Sequence, residues 1–180
     1  GHEFSGVVVE KGANAGDHIT VGDRVTGEPS IDICGHCDYC LSEHYNLCPD
    51  RKVMGYWHDG CFAPYCDATL VHKLPESVGF EAGALTELLA CCVHSVPEQA
   101  GVVAGDFVAI TGPGPVGLFS ALVALAEGGT VALLGTGRDE QRLRLAEELG
   151  VHHVIDIDAC DPVKRVQELT AGYGADVVVE

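Results

Sequence analysis

The chain has 180 residues, of which 47% are hydrophobic and 21% charged, a composition typical of one or two globular domains and not of a disordered segment. Asp and Glu total 27 against 10 Lys and Arg, so the formal net charge is −17, which disfavours binding to nucleic acid or anionic membranes. No apolar run reaches the roughly 18 residues of a membrane span, and no secretory signal pattern is visible. We therefore expect a cytoplasmic protein whose partners include neither nucleic acid nor a membrane.

Turn residues, above all glycine, are dense in the first hundred positions. Short β-branched runs lie between them, for example at 7–9 and 69–71. This pattern predicts a β-rich, barrel-like unit of short strands and tight turns. A helix is expected over 80–96, interrupted near Thr86 and ended by Pro97, because proline has no N–H to continue the helical hydrogen bonds.

From residue 105 onward, apolar runs alternate with helical stretches. We expect strands over 107–111, 130–134, 154–157 and 176–179, and helices over 115–127, 139–149 and 162–170. Strands and helices alternating at this spacing predict a parallel, doubly wound sheet. We place the domain boundary after residue 97, which gives domains 1–97 and 98–180. The chain starts without Met and ends directly after an apolar run, so we also expect a segment of a longer protein.

Four of the nine cysteines are close together in the sequence: Cys34, Cys37, Cys40 and Cys48. Four thiolates on a compact loop suit tetrahedral zinc, and a set closed by protein ligands indicates a structural rather than a catalytic metal. Two disulfides or a coincidence of spacing are the alternatives, although scattered cysteines in odd number indicate a reducing compartment. His36 and His44 interleave the cluster and are expected at the surface.

A glycine-rich segment, GPGPVG, follows an expected strand and opens an expected helix. Gly112 permits a tight turn, Gly114 lets the backbone approach a pyrophosphate, and Gly117 lets helix and strand pack closely. Pro115 and Val116 begin the helix, whose free N–H groups attract phosphates. The segment predicts dinucleotide binding, and a purely structural turn is the alternative.

The end of the second strand distinguishes NAD from NADP, because an acidic side chain there binds the ribose 2′-hydroxyl of NAD. Gly135 stands where the acidic residue is expected, and Arg138 follows at a spacing that would let it reach a 2′-phosphate. Asp139 is better explained as a helix N-cap. We therefore expect NAD or NADP with a slight preference for NADP. The alternative is that Arg138 is only a solvated residue at a helix start.

Several motifs taken together resemble those of one family. They are GHEFSGVVVEKGANA at 1–15, VGDRV at 21–25, the cysteine cluster and the GPGPVG loop, in that order. Over its whole length the chain resembles the zinc-containing medium-chain alcohol/polyol dehydrogenases, and 87–96 is similar to their sorbitol and threonine dehydrogenase branches. The resemblance implies an α/β chain in which a GroES-like, β-rich catalytic domain precedes a truncated Rossmann domain, that is, a doubly wound parallel sheet.

The same resemblance implies a second, catalytic zinc and a homo-oligomeric protein. The ligands of this catalytic zinc, or the carboxylates next to it, would be His2, Glu3 and Glu87. The family's first ligand is a cysteine upstream of the GHE motif, which would lie before Gly1, so we expect an incomplete catalytic site in this chain. The implied activity is hydride transfer between a secondary alcohol or polyol-type substrate and NAD(P). A zinc-stabilised nucleotide-binding module without turnover is the alternative.

The chain departs from the family's pattern in its turns and cysteines. Glu43 stands three residues after the third clustered cysteine, where the family carries glycine. Cys91 and Cys92 are close enough to Glu87 in the sequence to be rival metal ligands. Most of the cysteines outside the cluster are expected to be buried thiols that act as small hydrophobic side chains. The five cysteines outside the cluster are Cys61, Cys66, Cys91, Cys92 and Cys160.

Overall fold

The computed structural model describes residues 1–13 and 15–180. Asn14, which belongs to the GHE-containing motif at 1–15, lies outside the described residues. The chain divides into two compact units, Gly1–Glu87 and Leu88–Glu180. Within the described residues, no helix combines the length and the apolar character needed to cross a bilayer.

The first unit consists mainly of short strands joined by turns. Its elements are β1 (Ser5–Val7), β2 (Arg24–Gly27), β3 (Ser30–Asp32), α1 (Asp38–Leu41), β4 (Lys52–Val53), β5 (Val71–Lys73) and α2 (Phe80–Ala84). An antiparallel sheet has the order β1-β2-β5, and β3 pairs with β4 in a second sheet. This architecture agrees with the β-rich first domain predicted from the density of turn residues.

The second unit alternates strands and helices. After α3 (Thr86–Val93), its elements are β6 (Phe107–Thr111), α4 (Pro115–Ala126), β7 (Thr130–Gly135), α5 (Glu140–Glu148), β8 (His153–Asp156), α6 (Pro162–Leu169) and β9 (Val177–Val179). The sheet order is β8-β7-β6-β9, and every pairing is parallel. The strand order reverses beside β6, as in a doubly wound sheet, and ligands bind such sheets at the carboxyl ends of the strands next to the reversal. The fold class is α/β, as predicted.

Helices cover both faces of the parallel sheet. One buried cluster joins alternate residues of β6 and β7 to α4, namely Val108, Ile110, Val131, Leu133, Ala121 and Ala124. The opposite face is represented by Phe107, Ala132, Ile155 and Val166. Successive side chains of a strand point to opposite faces, so strands covered on both sides are apolar throughout. Their burial fixes where each strand ends, and therefore positions the loops that follow β6 and β7.

The helical segment near the division between the units is less regular than expected. The interruption near Thr86 is present, because α2 ends at Ala84 before α3 begins. Pro97 does not stop the helix but lies inside a wide π-helical turn, His94–Gln99. The N–H of Ala100 donates to the Ser95 carbonyl (2.9 Å), an i→i+5 bond that widens the turn around the proline ring.

The division between the units precedes the boundary predicted after residue 97. Cys92, Val96 and Val102 are buried in the same cluster as the central strands of the parallel sheet. Because these side chains pack on that sheet, the helix that carries two of them belongs with the second unit. The domain limits 1–97 and 98–180 stay a prediction.

Candidate functional site

The four clustered cysteines converge in the first unit. The sulfur atoms of Cys34, Cys37, Cys40 and Cys48 all lie within 4.8 Å of one another, and all four thiols are free. The sulfurs of Cys34 and Cys40 are 3.9 Å apart. Two sulfurs bound at about 2.3 Å to one tetrahedral zinc would be about 3.8 Å apart. The donor set and its spacing therefore fit a zinc ion closed off by protein ligands.

The loop prepares these thiols unequally for metal binding. Hydrogen bonding from the backbone N–H groups of His36 and Cys37 lowers the pKa of the Cys34 thiol to about 6. Burial raises the pKa of the Cys40 thiol to about 12. Zinc binds thiolates and releases their protons, so the hydrogen bonds to Cys34 favour the form that binds metal, whereas the burial of Cys40 opposes it until a positive ion is present.

The lobe that carries the cysteines (34–48) has almost no apolar core, since Cys48 is its one buried residue. The Tyr45 hydroxyl donates to Oε2 of Glu28 (2.6 Å), and this hydrogen bond raises the pKa of Tyr45 to about 12. The other oxygen of Glu28 lies 3.0 Å from Nε2 of His72 on β5. Glu28 therefore ties the lobe to the antiparallel sheet.

The turn after the third clustered cysteine explains the glycine of the family's pattern. Glu43 adopts φ +65°, a left-handed conformation that residues with a Cβ seldom occupy and that glycine adopts without strain. Its N–H donates to the Cys40 carbonyl (3.2 Å), and the N–H of His44 donates to the Tyr39 carbonyl (2.8 Å). The turn therefore keeps its hydrogen bonds with glutamate in place of glycine.

His2 and Glu87, far apart in the sequence, lie side by side in the first unit. Nε2 of His2 is 3.8 Å from Oε2 of Glu87, and the two side chains are 30% and 16% exposed. Two such ligands at about 2.1 Å from one tetrahedral zinc would be about 3.4 Å apart. A small approach of the two side chains would therefore allow both to hold one metal ion.

Glu3 is not brought into this pair. It is exposed, and among the described residues the cysteine cluster is the only group of three or more His, Cys, Asp or Glu close enough to hold a metal. The ring of Tyr56 lies 5.9 Å from that of His2, so an aromatic side chain borders the pair. A two-ligand arrangement leaves coordination positions open, in contrast to the closed cysteine set. The catalytic role of His2, Glu3 and Glu87 stays a prediction.

The cysteines outside the cluster are mostly not buried, so that expectation was wrong. Cys66, Cys91 and Cys160 are exposed and Cys61 is partly buried. Cys92 alone among these five is buried, and its thiol donates to the carbonyl of Val116 at the start of α4 (3.5 Å). For Cys61 and Cys66 the reason is that the short turns of the first unit offer little interior, whereas Cys91 and Cys160 lie at the surface of the second unit.

The glycine loop between β6 and α4 has the geometry of a phosphate-binding turn. Gly112 adopts φ +87°, and a Cβ at Gly117 would overlap the Gly112 carbonyl oxygen, so both positions require glycine. A Cβ at Gly114 would meet no heavy atom within 4 Å, which leaves open space for a ligand. Pro115, which has no N–H, begins α4, and the backbone N–H groups of Val116 and Gly117 after it can bind phosphate. The predicted loop residues therefore come together in one site.

The end of β7 lies beside this loop and has no room for an acidic side chain. A Cβ at Gly135 would lie 2.8 Å from Pro113 of the loop and 2.9 Å from Leu143. Arg138 is exposed, and within the described part of the chain it forms no ion pair, unlike Arg142, which pairs with Asp139. Its guanidinium is therefore available to a ligand at this edge of the sheet.

Three carboxylates lie at this edge: Asp139, which the sequence singled out, and Asp156 and Asp158, which it did not. A Cβ at Gly137 would lie 3.6 Å from one oxygen each of Asp156 and Asp158. Asp139 accepts hydrogen bonds from the hydroxyl (2.8 Å) and N–H (3.1 Å) of Thr136, which lower the pKa of its carboxyl. Asp139 occupies the N-cap position of α5, as expected. Its side chain, however, accepts hydrogen bonds from Thr136, which precedes it, and from no backbone N–H of α5. The signal for Asp156 and Asp158 in the sequence was that Asp156 lies near the end of a predicted parallel strand and Asp158 directly after it.

Two family models match the two parts of this architecture. The alcohol dehydrogenase GroES-like domain matches residues 1–76, and the zinc-binding dehydrogenase model matches residues 115–180. The fold is thus a GroES-like domain followed by a Rossmann domain. The chain belongs to the zinc-containing medium-chain alcohol/polyol dehydrogenase family, as the motifs predicted.

Individual relatives agree with this placement. The chain is 47% identical to a sorbitol dehydrogenase of Halalkalibacterium halodurans and 43% identical to a D-arabitol-phosphate dehydrogenase of Enterococcus avium, with all of this chain and 52% and 51% of theirs covered. A crystal structure of a zinc-binding dehydrogenase of Sinorhizobium meliloti 1021 bound to NADP has a TM-score of 0.86 and 37% identity, covering 98% of this chain and 52% of that one. The chain spans about half the length of the curated relatives it matches.

Proposed function

We propose that the protein carrying this chain transfers hydride between a secondary alcohol or polyol-type substrate and NAD or NADP in a zinc-dependent reaction. The observation that carries the proposal is the approach of His2 and Glu87 to 3.8 Å, a second, open pair of metal ligands in the unit that also contains the closed cysteine set. The sorbitol and D-arabitol-phosphate dehydrogenases among the relatives support polyol-type chemistry.

Each part of the chain has a separate role in this proposal. The cysteine set would hold a structural zinc, and His2 with Glu87 would hold a catalytic one, with Glu3 as a further ligand or a neighbouring carboxylate. When bound, the catalytic zinc would supply a Lewis acid that lowers the pKa of the substrate hydroxyl, and the nicotinamide would supply the hydride acceptor. The exposed ring of Tyr56 beside His2 gives the substrate an aromatic surface.

The second unit binds the coenzyme through its backbone. The loop of Gly112, Gly114 and Gly117 receives the pyrophosphate, because its backbone is uncovered and the N-terminus of α4 points free N–H groups toward it. The nucleotide-binding module without turnover is not favoured, because the named curated relatives are dehydrogenases.

The proposal extends to the surroundings in which the protein acts. We infer a cytoplasmic homo-oligomer that binds small molecules and neither nucleic acid nor membranes. The net charge of −17 supports this, since it repels phosphate backbones and anionic lipid. The nine cysteines, an odd number of which five are scattered along the chain, support a reducing compartment.

Metal analysis of the protein carrying this chain should find two zinc ions per polypeptide. His2→Ala should lose one of them, because it removes half of the open pair, and should keep the other in the cysteine set. The matched control is His94→Ala, an exposed histidine that pairs with Glu98 and should keep both. One zinc in the unmodified protein, or two in His2→Ala, would contradict the catalytic site and favour a binding module.

Removing the charge of Arg138 should affect the two coenzymes differently. Arg138→Ala should weaken NADPH binding by about tenfold, the usual loss for one charge-assisted hydrogen bond, and NADH binding by much less. Nicotinamide fluorescence titration measures both affinities. Arg165→Ala, which only breaks a surface pair with Glu168, is the control. An equal loss for both coenzymes would show that Arg138 does not contact the 2′-phosphate.

A further inference from the structure

The end of β8 places two carboxylates where the end of β7 has no acidic side chain. An oxygen of Asp156 and one of Asp158 each lie 3.6 Å from the position that a Cβ on Gly137 would take. Gly135, where the acidic residue was expected, has no carboxylate, and two carboxylates from the end of the neighbouring strand lie close to Gly137, two residues further along.

These carboxylates are held in place. Oδ2 of Asp158 accepts the N–H of Gly137 (3.0 Å), and Oδ1 of Asp156 accepts the N–H of Asp158 (2.9 Å). The strand end itself is fixed, because the N–H of Ile157 donates to the Gly135 carbonyl (2.9 Å). In contrast, Arg138 is exposed and held by no ion pair in the described residues.

Asp156 and Asp158 lie at the same carboxyl edge of the sheet as the glycine loop. Gly135 packs against Pro113 of the loop, and Gly137 follows two residues later at the same carboxyl edge of the sheet. In a doubly wound dinucleotide site the pyrophosphate lies on the loop and the adenosine ribose lies over the end of the second strand. The ribose 2′-position would therefore face Asp156 and Asp158.

We propose that Asp156 and Asp158 determine coenzyme choice, accepting the ribose hydroxyls of NAD and disfavouring the 2′-phosphate of NADP. This inference rests on the proposed dinucleotide site. It reverses the preference expected from Arg138 alone, because two fixed negative charges beside the 2′-position outweigh one mobile positive charge. Arg138 reduces the repulsion of a 2′-phosphate without cancelling it.

Calorimetric titration with ADP-ribose and 2′-phospho-ADP-ribose tests the choice without any turnover. The protein carrying this chain should bind ADP-ribose at least about tenfold more tightly, as expected for like charges at close range near a surface. Asp158→Asn keeps the acceptor for the Gly137 N–H and removes the charge, so it should narrow this ratio about fivefold. Asp156→Asn should act in the same direction.

Asp176→Asn is the matched control. Asp176 is exposed and accepts a hydrogen bond from the N–H of Phe107 (2.7 Å). This contact lies at the amino-terminal ends of the strands, away from the carboxyl ends where Asp156 and Asp158 lie, so Asp176→Asn should leave the ratio of the two affinities unchanged. A ratio that Asp156→Asn and Asp158→Asn leave unchanged, or tighter binding of 2′-phospho-ADP-ribose by the unmodified protein, would overturn this inference alone. Failure of both probes to bind would overturn the dinucleotide site itself, and this inference with it.

Discussion

Cys37→Ser should cost the protein one zinc ion and the fold of the lobe at 34–48. Within that lobe only Cys48 is buried, and large side chains such as Leu41 and Leu47 are 71% and 54% exposed. Apolar burial is therefore too small to stabilise the folded lobe, and we expect its stability to come from the bound zinc ion. Structural zinc contributes about 10–16 kcal/mol of apparent binding free energy in small zinc-dependent peptides. A loss of about 3 kcal/mol or more from the free energy of unfolding of the first unit is expected.

Three measurements check this result: metal content, chemical unfolding, and the rate at which a protease cleaves the lobe. Cys160→Ser is the matched control, because Cys160 is an exposed thiol in the second unit and should leave all three unchanged. Raised proteolysis confined to the lobe would localise the effect. A Cys37→Ser protein that retains its full zinc content and its resistance to protease would show that the four sulfurs do not bind a metal together.

Gly117→Ala should abolish dinucleotide binding and destabilise the second unit. A Cβ at residue 117 would overlap the carbonyl oxygen of Gly112, and a backbone atom cannot move aside without displacing the end of β6. Overpacking of this kind costs about 3 kcal/mol at the upper end of its usual range. Binding of NADH should weaken by more than about a hundredfold, because the loop that receives the pyrophosphate would be distorted.

Gly114→Ala should weaken coenzyme binding without destabilising the fold, and so it distinguishes the two effects. Residue 114 has φ −73°, and a Cβ there would contact nothing within 4 Å, so the free energy of unfolding should change by less than about 0.5 kcal/mol. NADH binding should still fall at least about tenfold, since the added methyl group stands where the pyrophosphate approaches. Unchanged NADH affinity in Gly114→Ala would place the coenzyme elsewhere, and normal stability in Gly117→Ala would contradict the close packing of the loop.

The parts of the fold that depend on local pattern were predictable from the sequence. The strand at Phe107–Thr111 has the predicted limits, and the helix at Pro115–Ala126 differs by one residue at its end, because a buried parallel strand is apolar throughout and glycines mark its end. The cysteine cluster was equally predictable, since its ligands are neighbours in the sequence and no long-range folding is needed to bring them together.

The features that depend on tertiary contacts were harder to predict from the sequence. The wide turn around Pro97 lets the helical segment continue where local rules predict an end. The exposure of Cys66 and Cys160 reflects how little interior their loops enclose. Asp158 meets Gly137 only because β7 and β8 are adjacent in the sheet, and no local pattern in the sequence around either residue indicates that contact.

The most direct test of the proposed function is coenzyme reduction by alcohols. The protein carrying this chain, loaded with zinc, is offered a panel of secondary alcohols and polyols with NAD or NADP, and the absorbance of the reduced nicotinamide is followed. We predict reduction with at least one polyol-type substrate, and its loss in His2→Ala. No reduction of either coenzyme by any alcohol in the panel would contradict the dehydrogenase activity.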